Sequence, residues 1–529
     1  GQAPSVAGTA KSLLTPELLI FSSNVFLVLA AFLLTFRKDY KEFSPPKWEK
    51  IIVVLLMALI VFLGYKFLLD TEKKEWGNTS RLYKDVYDLN ALVGKMGIIN
   101  FSIEDTVKYI SRNKITDEEK KFLETWSKNR TLSATDSKYF GQVKGRNIIL
   151  VYVESLENAV INQKIAGQEI TPNLNKIAKE GLYFNNYYAV VGPGNTADAE
   201  FEALNSLYPL PNTVVFVDYA KNKYNALPQL LKNYGYKTYS FHGDVPTFWN
   251  RSNIYPGLGY DKSFNISDYV ISRPVGKGPS ELGDEDFFEQ SLPKLQKLEQ
   301  PFLATLITIS SHTPFILPDD LQTLPIPADT NLDYNQQQYL ESIHYMDTAL
   351  GKFIDELKKT DLYNNSIILI LGDHGSYTNI SYALGQDENI LPRLASSRVP
   401  LVILAPGTKL QGTIDTPASH LDIYPTITNL LGIPAPKTIL GQDILNSKNP
   451  AVARFNLISG GINTILTFDL VYEASKDGVY EHGACIKIPD EKPMPVENCR
   501  NLYKQQADML KASNIIIRGD LVDKLHATQ

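Results

Sequence analysis

A chain of 529 residues has room for one large domain with additions, or for two to four domains. Its 44% hydrophobic and 21% charged content is that of a folded protein and excludes wholesale disorder. A net charge of −6 with no basic block excludes a surface built to grip nucleic acid, and two cysteines exclude a thiolate zinc cluster or a disulfide-rich scaffold.

The N-terminal region differs in kind from the rest. Residues 13–36, LLTPELLIFSSNVFLVLAAFLLTF, carry one charge, Glu17, and residues 51–69, IIVVLLMALIVFLGYKFLL, carry only Lys66. Each is long enough to cross a hydrocarbon core of roughly 30 Å. Between them RKDYKEFSPPKWEK holds five Lys or Arg in fourteen residues. The positive-inside rule puts that loop in the cytoplasm and everything beyond about residue 70 outside. The chain opens on Gly without Met or a signal peptide, which reads as a fragment with further spans upstream.

Residues 71–140 are charged and helically periodic, and SIEDTVKYISRNK and TDEEKKFLETWSKN each open on a Ser or Thr cap and acidic residues. This is the pattern of a helical juxtamembrane linker. NIILVYVES, 147–155, then reads as a strand buried on both faces. Alternation follows: a helix and strand in TPNLNKIAKEGLYFNNYYA, helix ALPQLLKNYG, strands YKTYSFHG and FLATLITISSH, helix NQQQYLESIHYMDTALGKFIDELKKT, strands SIILILGDHG and PLVILAPG, helix HLDIYPTITNLLGI. Such alternation means a mostly parallel α/β sheet with helices on both faces. From about residue 448 shorter strands and a final helix mark a smaller C-terminal subdomain. Cys485 and Cys499 lie there, and spacing alone leaves a disulfide and two free thiols both open.

The polar residues of this half collect at strand ends, where open α/β sheets bind ligands. NIILVYVES ends in Glu154, SIILILGDHG in Asp373-His374, YKTYSFHG in His242 and FLATLITISSH in His312. Three of the chain's seven histidines therefore sit at predicted strand ends. In VVGPGNTADAEF, Thr196 follows a Gly-Pro-Gly turn. Locally it reads as a helix cap, and with the strand-end set as a nucleophile. Glu, Asp, His and a Thr oxygen suit Mn²⁺, Mg²⁺ or Zn²⁺. Such a cation would lower the pKa of the threonine hydroxyl, and the remaining histidines with Arg251 suit an anionic group. His344 reads as structural, and His482 and His526 lie outside the set.

The order ES(L), G-x-G-x-T-x-D-x-E-F, FHGD…TFWNR…GYDKSF, SSHTPF, GDHG resembles the lipoteichoic acid synthases, phosphoglycerol transferases of the alkaline phosphatase and sulfatase superfamily. The resemblance runs from the last apolar span to the closing SNIIIRGDLVDKL. It implies a sulfatase-like α/β fold, with transmembrane helices at 1–70, a linker at 71–140, a catalytic domain at 141–447 and a C-terminal α+β subdomain at 448–529. It further implies Glu154, Thr196, Asp373 and His374 as metal ligands, usually for manganese, with Thr196 also the nucleophile. His242, Trp249, Arg251 and His312 match the residues that cradle glycerol phosphate. The expected donor is phosphatidylglycerol in the cell membrane, the intermediate a phosphothreonine, and the acceptor a glycerol-phosphate polymer or a glycolipid.

The chain departs from the family pattern at Asn195, where Lys often precedes the threonine, and at Thr313, where an aromatic is frequent. A sulfatase would need a C/S-x-P-x-R stretch, which is absent. Phosphoethanolamine transferases use the same fold and a Thr but are rich in disulfides. A two-metal phosphatase would draw on His420 and Asp422, though HLDIYPT reads better as a helix start. A phosphodiesterase, or a non-catalytic extracellular sensor on this fold, is the remaining alternative.

Overall fold

The computed structural model describes residues 114–128, 137–276, 281–386, 392–457, 459–488 and 490–522, with isolated positions between 48 and 107. The chain divides into two compact units, residues 1–112 and 113–529. The apolar stretches at 13–36 and 51–69 lie outside the described residues apart from Ile52. Among the described residues no helix is long and apolar enough to cross a membrane.

The second unit is built on a nine-stranded sheet. Its strands are β1 (Asn147–Val153), β2 (Leu182–Tyr188), β3 (Lys237–His242), β4 (Lys262–Phe264), β5 (Phe302–Ile307), β6 (Ser366–Gly372), β7 (Arg398–Leu404), β8 (Gly412–Ile414) and β9 (Ala418–Ser419). They lie in the order β8-β2-β7-β6-β1-β5-β3-β4, with β9 beside β2. Only β7 runs antiparallel, against both β6 and β2. The expected mostly parallel sheet is therefore the observed one.

β1 shows why the pattern works. All seven of its residues are buried, and alternate side chains enter different cores. Ile149, Val151 and Val153 join a cluster with helices α6 (Asp284–Leu295) and α7 (Tyr334–Leu357). Ile148, Leu150 and Tyr152 join another with α3 (Thr196–Asn205) and α8 (Ile423–Leu431). A strand with helices on both faces has no polar side, so its sequence is continuously apolar. The remaining helices named here are α1 (Asp117–Lys128), α2 (Pro172–Glu180), α4 (Leu227–Lys232), α5 (Arg251–Leu258) and α9 (Arg500–Gly519). Helix α1 starts at a capping box, with Thr116 and Glu119 each donating a backbone N–H to the other's side chain.

Register brings the strand ends level. Val153 pairs with Gly372, and Ile307 pairs with both Tyr152 and His242. The residues just past β1, β5 and β6, and the last residue of β3, therefore share one edge of the sheet.

The C-terminal subdomain is a separate antiparallel sheet of β10 (Val452–Phe455), β11 (Ile462–Leu466), β12 (Leu470–Glu473), β13 (Ala484–Lys487) and β14 (Lys492–Met494), followed by α9. Cys485 and Cys499 are joined in a disulfide with Cα atoms 5.9 Å apart, which resolves the alternatives left by spacing. Arg518 on α9 reaches Glu119 on α1 at 3.0 Å. The disulfide closes a loop with a sequence separation of 14, and a loop of that size is worth about 3 kcal/mol through the entropy of the unfolded chain. Cys485→Ser/Cys499→Ser should therefore unfold at lower urea by about that free energy, and the parent should follow it when reductant is added.

Candidate active site

Four residues meet at the shared edge. Glu154 follows β1, Asp373 and His374 follow β6, and Thr196 opens α3. Donor atoms of Glu154, Asp373 and His374 all lie within 4.8 Å of one another. Thr196 Oγ1 donates to Glu154 Oε2 at 3.2 Å and lies 3.5 Å from His374 Nε2. His374 Nε2 is 3.4 Å from Glu154 Oε1 and 3.5 Å from Asp373 Oδ2. All four residues are buried.

The polar atoms around them orient these groups. His374 Nδ1 donates to the Gly375 carbonyl at 2.9 Å, which leaves the Nε2 lone pair facing the cluster. Asp373 Oδ1 accepts the backbone N–H groups of Ser155 and His374, both at 2.7 Å. Its Oδ2 is buried without a hydrogen-bond partner. Burial and the Glu154 charge raise the Asp373 pKa. For His374 burial acts downward, but Asp373 and Glu154 outweigh it and raise its pKa. Two carboxylates, an imidazole nitrogen and a hydroxyl converging in this way form a donor set that suits a divalent cation.

The turn before Thr196 is held by its own helix. Asp198 Oδ2 accepts the N–H groups of Gly192 and Gly194, each at 2.9 Å. A Cβ on Gly194 would collide with that carboxylate, so the close approach requires glycine. Asn195 occupies the cap position with φ 43° and makes no side-chain cap bond; its Oδ1 instead accepts the Tyr377 hydroxyl at 2.7 Å. Thr196 is the first helical residue rather than the cap, since the Asn195 carbonyl accepts the Ala199 N–H at 3.0 Å, and its hydroxyl is turned to Glu154.

The second expected group lies beside the first. His242 is buried with Nδ1 donating to the Ile307 carbonyl at 3.1 Å, and its Nε2 has no hydrogen-bond partner. Burial, then the nearby Arg251, push its pKa well below the usual histidine value, so it is neutral. Burial, then His374, also lower the His312 pKa. The Phe248 ring lies 5.7 Å from Trp249, 6.4 Å from His312 and 6.0 Å from the Arg251 guanidinium. Arg251 differs from the expectation of a fork aimed at an anion. Its Nε and one Nη donate to Glu200 Oε1 at 3.1 and 2.7 Å, while Tyr255 donates to Glu200 Oε2. The remaining Nη donates to the Phe248 carbonyl at 3.5 Å, so the guanidinium is held on both sides, on one of them by a buried ion pair.

The sequence assigns no role to Glu200, Tyr255 or Phe248. The available signal was the acidic run TADAEFE in a helix whose ten residues are all buried. Buried carboxylates require partners. His420 and Asp422 form no second metal centre: His420 Nε2 donates to the Gly372 carbonyl at 2.9 Å, and Asp422 accepts from Ser419 and Gln442 at the start of α8. His344 Nδ1 donates to the Ile170 carbonyl at 2.8 Å, a structural bond.

The backbone is strained around the edge. Ser155, Asn195, Trp249, Asn250, Phe315, Tyr377 and Asn379 all have φ between 43° and 64°. Non-glycine residues in that region cost about 1–3 kcal/mol each, and these seven are within a few residues of Glu154, Thr196, Arg251, His312 and His374.

Burial raises Asp198 and Asp422 to about 7. A folded-state pKa above the unfolded value adds stability that is present at low pH and lost as pH rises through it. Between pH 8 and 6.5 each should add on the order of 1 kcal/mol to the metal-free chain. From about pH 7 downward the depressed His242, His312 and His420 offset part of this, because the unfolded chain binds their protons first. In chelator, calorimetric melting should therefore be higher at pH 6.5 than at pH 8; the reverse order would mean the two aspartates are ionised at little cost.

Comparison with known proteins agrees with this architecture. Residues 146–433 match the Sulfatase family and residues 1–118 match the lipoteichoic acid synthase N-terminal domain. Lipoteichoic acid synthase 1 of Bacillus subtilis is 32% identical over 94% of this chain and 76% of its own length. Lipoteichoic acid synthase of Staphylococcus aureus is 32% identical over 91% of this chain and 73% of its own. The crystal structure of the lipoteichoic acid synthase LtaP from Listeria monocytogenes superposes with a TM-score of 0.68 at 29% identity, covering 75% of this chain and 98% of that one.

Proposed function

The chain belongs to the lipoteichoic acid synthase family, and from that premise we propose that it is a metal-dependent phosphoglycerol transferase with Thr196 as nucleophile. The observation that carries the reading is the Thr196 hydroxyl held 3.2 Å from Glu154 Oε2 and 3.5 Å from His374 Nε2 in a buried pocket of donors. Glu154, Asp373, His374 and Thr196 would hold the cation, Mn²⁺ being preferred over Mg²⁺ or Zn²⁺. When bound, it supplies positive charge that favours the ionised threonine oxygen and offsets the charge of a phosphodiester.

The chain's own groups supply the rest. Thr196 Oγ gives up its proton and forms a bond to phosphorus of phosphatidylglycerol, the bond from phosphorus to the diacylglycerol oxygen breaks, and that oxygen takes up a proton as diacylglycerol leaves. The product is a phosphothreonine that still carries glycerol. A glycerol hydroxyl of a polymer or glycolipid acceptor then attacks the same phosphorus and releases Thr196. The first turn of α3 adds the positive end of a helix to the phosphate's surroundings. Neutral His242 can accept a hydrogen bond from a glycerol hydroxyl through Nε2. Arg251 addresses a phosphate oxygen, held by Glu200 so that it need not reorganise. Trp249 and Phe248 supply apolar walls, and His312 completes the cradle.

Segments 1–70 and 71–140 would tether the catalytic region 141–447 and subdomain 448–529 to the outer face of the membrane, where the lipid donor lies. The Cys485–Cys499 disulfide supports that side, because such bonds persist in oxidising compartments.

The test is release of diacylglycerol from phosphatidylglycerol labelled on its acyl chain. The parent should release it with Mn²⁺ and not with chelator, and Thr196→Ala should fall at least a thousandfold, as loss of a nucleophile does. Release by folded Thr196→Ala at the parent rate would remove the covalent route. Release from phosphatidylethanolamine alone would turn the reading to a phosphoethanolamine transferase, and no metal-dependent turnover at all to the sensor.

A further inference from the structure

Ser155 lies between the two carboxylates of the cluster and is itself 2% exposed. Its backbone N–H donates to Asp373 Oδ1 at 2.7 Å, and its hydroxyl donates to Glu154 Oε1 at 2.8 Å. One residue thus takes one oxygen from each carboxylate. The oxygens left over are Glu154 Oε2, which faces Thr196 Oγ1, and Asp373 Oδ2, which has no hydrogen-bond partner.

The backbone that makes this reach is unusual and is locked from outside. Ser155 has φ 55°, a left-handed conformation, directly after an extended strand. Its carbonyl accepts the hydroxyl of Tyr339 at 3.0 Å, and that hydroxyl in turn accepts the N–H of Glu157 at 3.1 Å. Tyr339 is fully buried in α7. The helix under the sheet therefore fixes the turn that carries both donors. A serine that served only to end a strand would need neither the strained φ nor two bonds to two separate carboxylates.

We propose that Ser155 is a positioning residue that presents one oxygen each of Glu154 and Asp373 to a divalent cation. Hydrogen bonds behind metal ligands fix their orientation, and removing one typically weakens affinity 10–100-fold. The inference rests on the metal-dependent reading of this site.

Mn²⁺ binding to the full chain, by titration calorimetry, tests it, with the metal-free melting temperature measured alongside. Ser155→Gly suits the left-handed backbone and keeps the N–H to Asp373 while deleting the hydroxyl to Glu154. It should weaken Mn²⁺ binding roughly tenfold, with the metal-free melting temperature showing that the variant is folded. Ser155→Ala carries the same expectation for affinity and serves where the glycine variant does not fold. In a Glu154→Ala background the hydroxyl has nothing to orient, so adding Ser155→Gly should change affinity no further. Equal Mn²⁺ affinity in parent and Ser155→Gly, or the same loss in both backgrounds, overturns the assignment to Ser155 alone. A parent chain that binds no Mn²⁺ overturns the metal reading itself and this inference with it.

Discussion

Two carboxylates brought together in a buried place repel each other and lose their hydration, and the structure around Glu154 and Asp373 is organised by that cost. The sheet creates the problem, because it delivers both residues to the same edge, where each is buried. Partial answers are built in. Asp373 Oδ1 accepts two backbone N–H groups, Glu154 Oε1 accepts a hydroxyl, and His374 stands against both. One oxygen of Asp373 still has no hydrogen-bond partner. A cluster this incomplete by itself is one that a cation would complement, and the unpartnered Asp373 oxygen points that way more strongly than the residue types alone.

Helix α3 carries the same logic away from the edge. Its three acids meet three different sets of neighbours along one buried helix. Asp198 ties the Gly-Pro-Gly turn, Glu200 holds Arg251 and Tyr255, and Glu202 lies 3.7 Å from His420. His420 in turn holds the carbonyl of Gly372, next to Asp373. The helix that delivers Thr196 and the strand that delivers Asp373 and His374 thus approach each other through buried polar groups, although Glu202 and His420 share no hydrogen bond. Gly372 belongs to the same arrangement, since a Cβ there would run into the Leu156 carbonyl.

The fold was legible in the sequence because its strands are buried on both faces. NIILVYV and SIILILG can only be inner strands, and the helices between them impose parallel pairing. The strand-end residues were legible for the same reason: a Glu or Asp-His that ends an apolar run lies where the sheet opens. What stayed hidden was pairing across distance. Nothing local in TADAEFE says that Glu200 faces Arg251, fifty-one positions on. Nor does the TFWNR segment say that its arginine is held by that carboxylate. Hydrophobic period carries no partner information for a helix buried on every side, so α3 looks like any short helix with too many acids. The Cys485–Cys499 pairing was undecidable for a related reason, since spacing sets only what a loop permits.

Strain explains what strand ends alone do not. Register places Glu154, Asp373 and the residues after Ile307 at one level, but the pleat turns successive side chains to opposite faces. For Glu154 to face Asp373 across the edge while Ser155 supports both, the chain must leave extended geometry at once. It does so at Ser155 with φ 55°, just as it does at Asn195 before Thr196 and at Trp249 and Asn250 before Arg251. Glycine would adopt these angles more cheaply, yet at Ser155, Asn195 and Trp249 the side chain has work of its own: a bond to Glu154, a bond to Tyr377, a wall beside Phe248. Each position combines a backbone that favours glycine with a side chain glycine lacks, and the buried cores on either side of the sheet hold that combination in place.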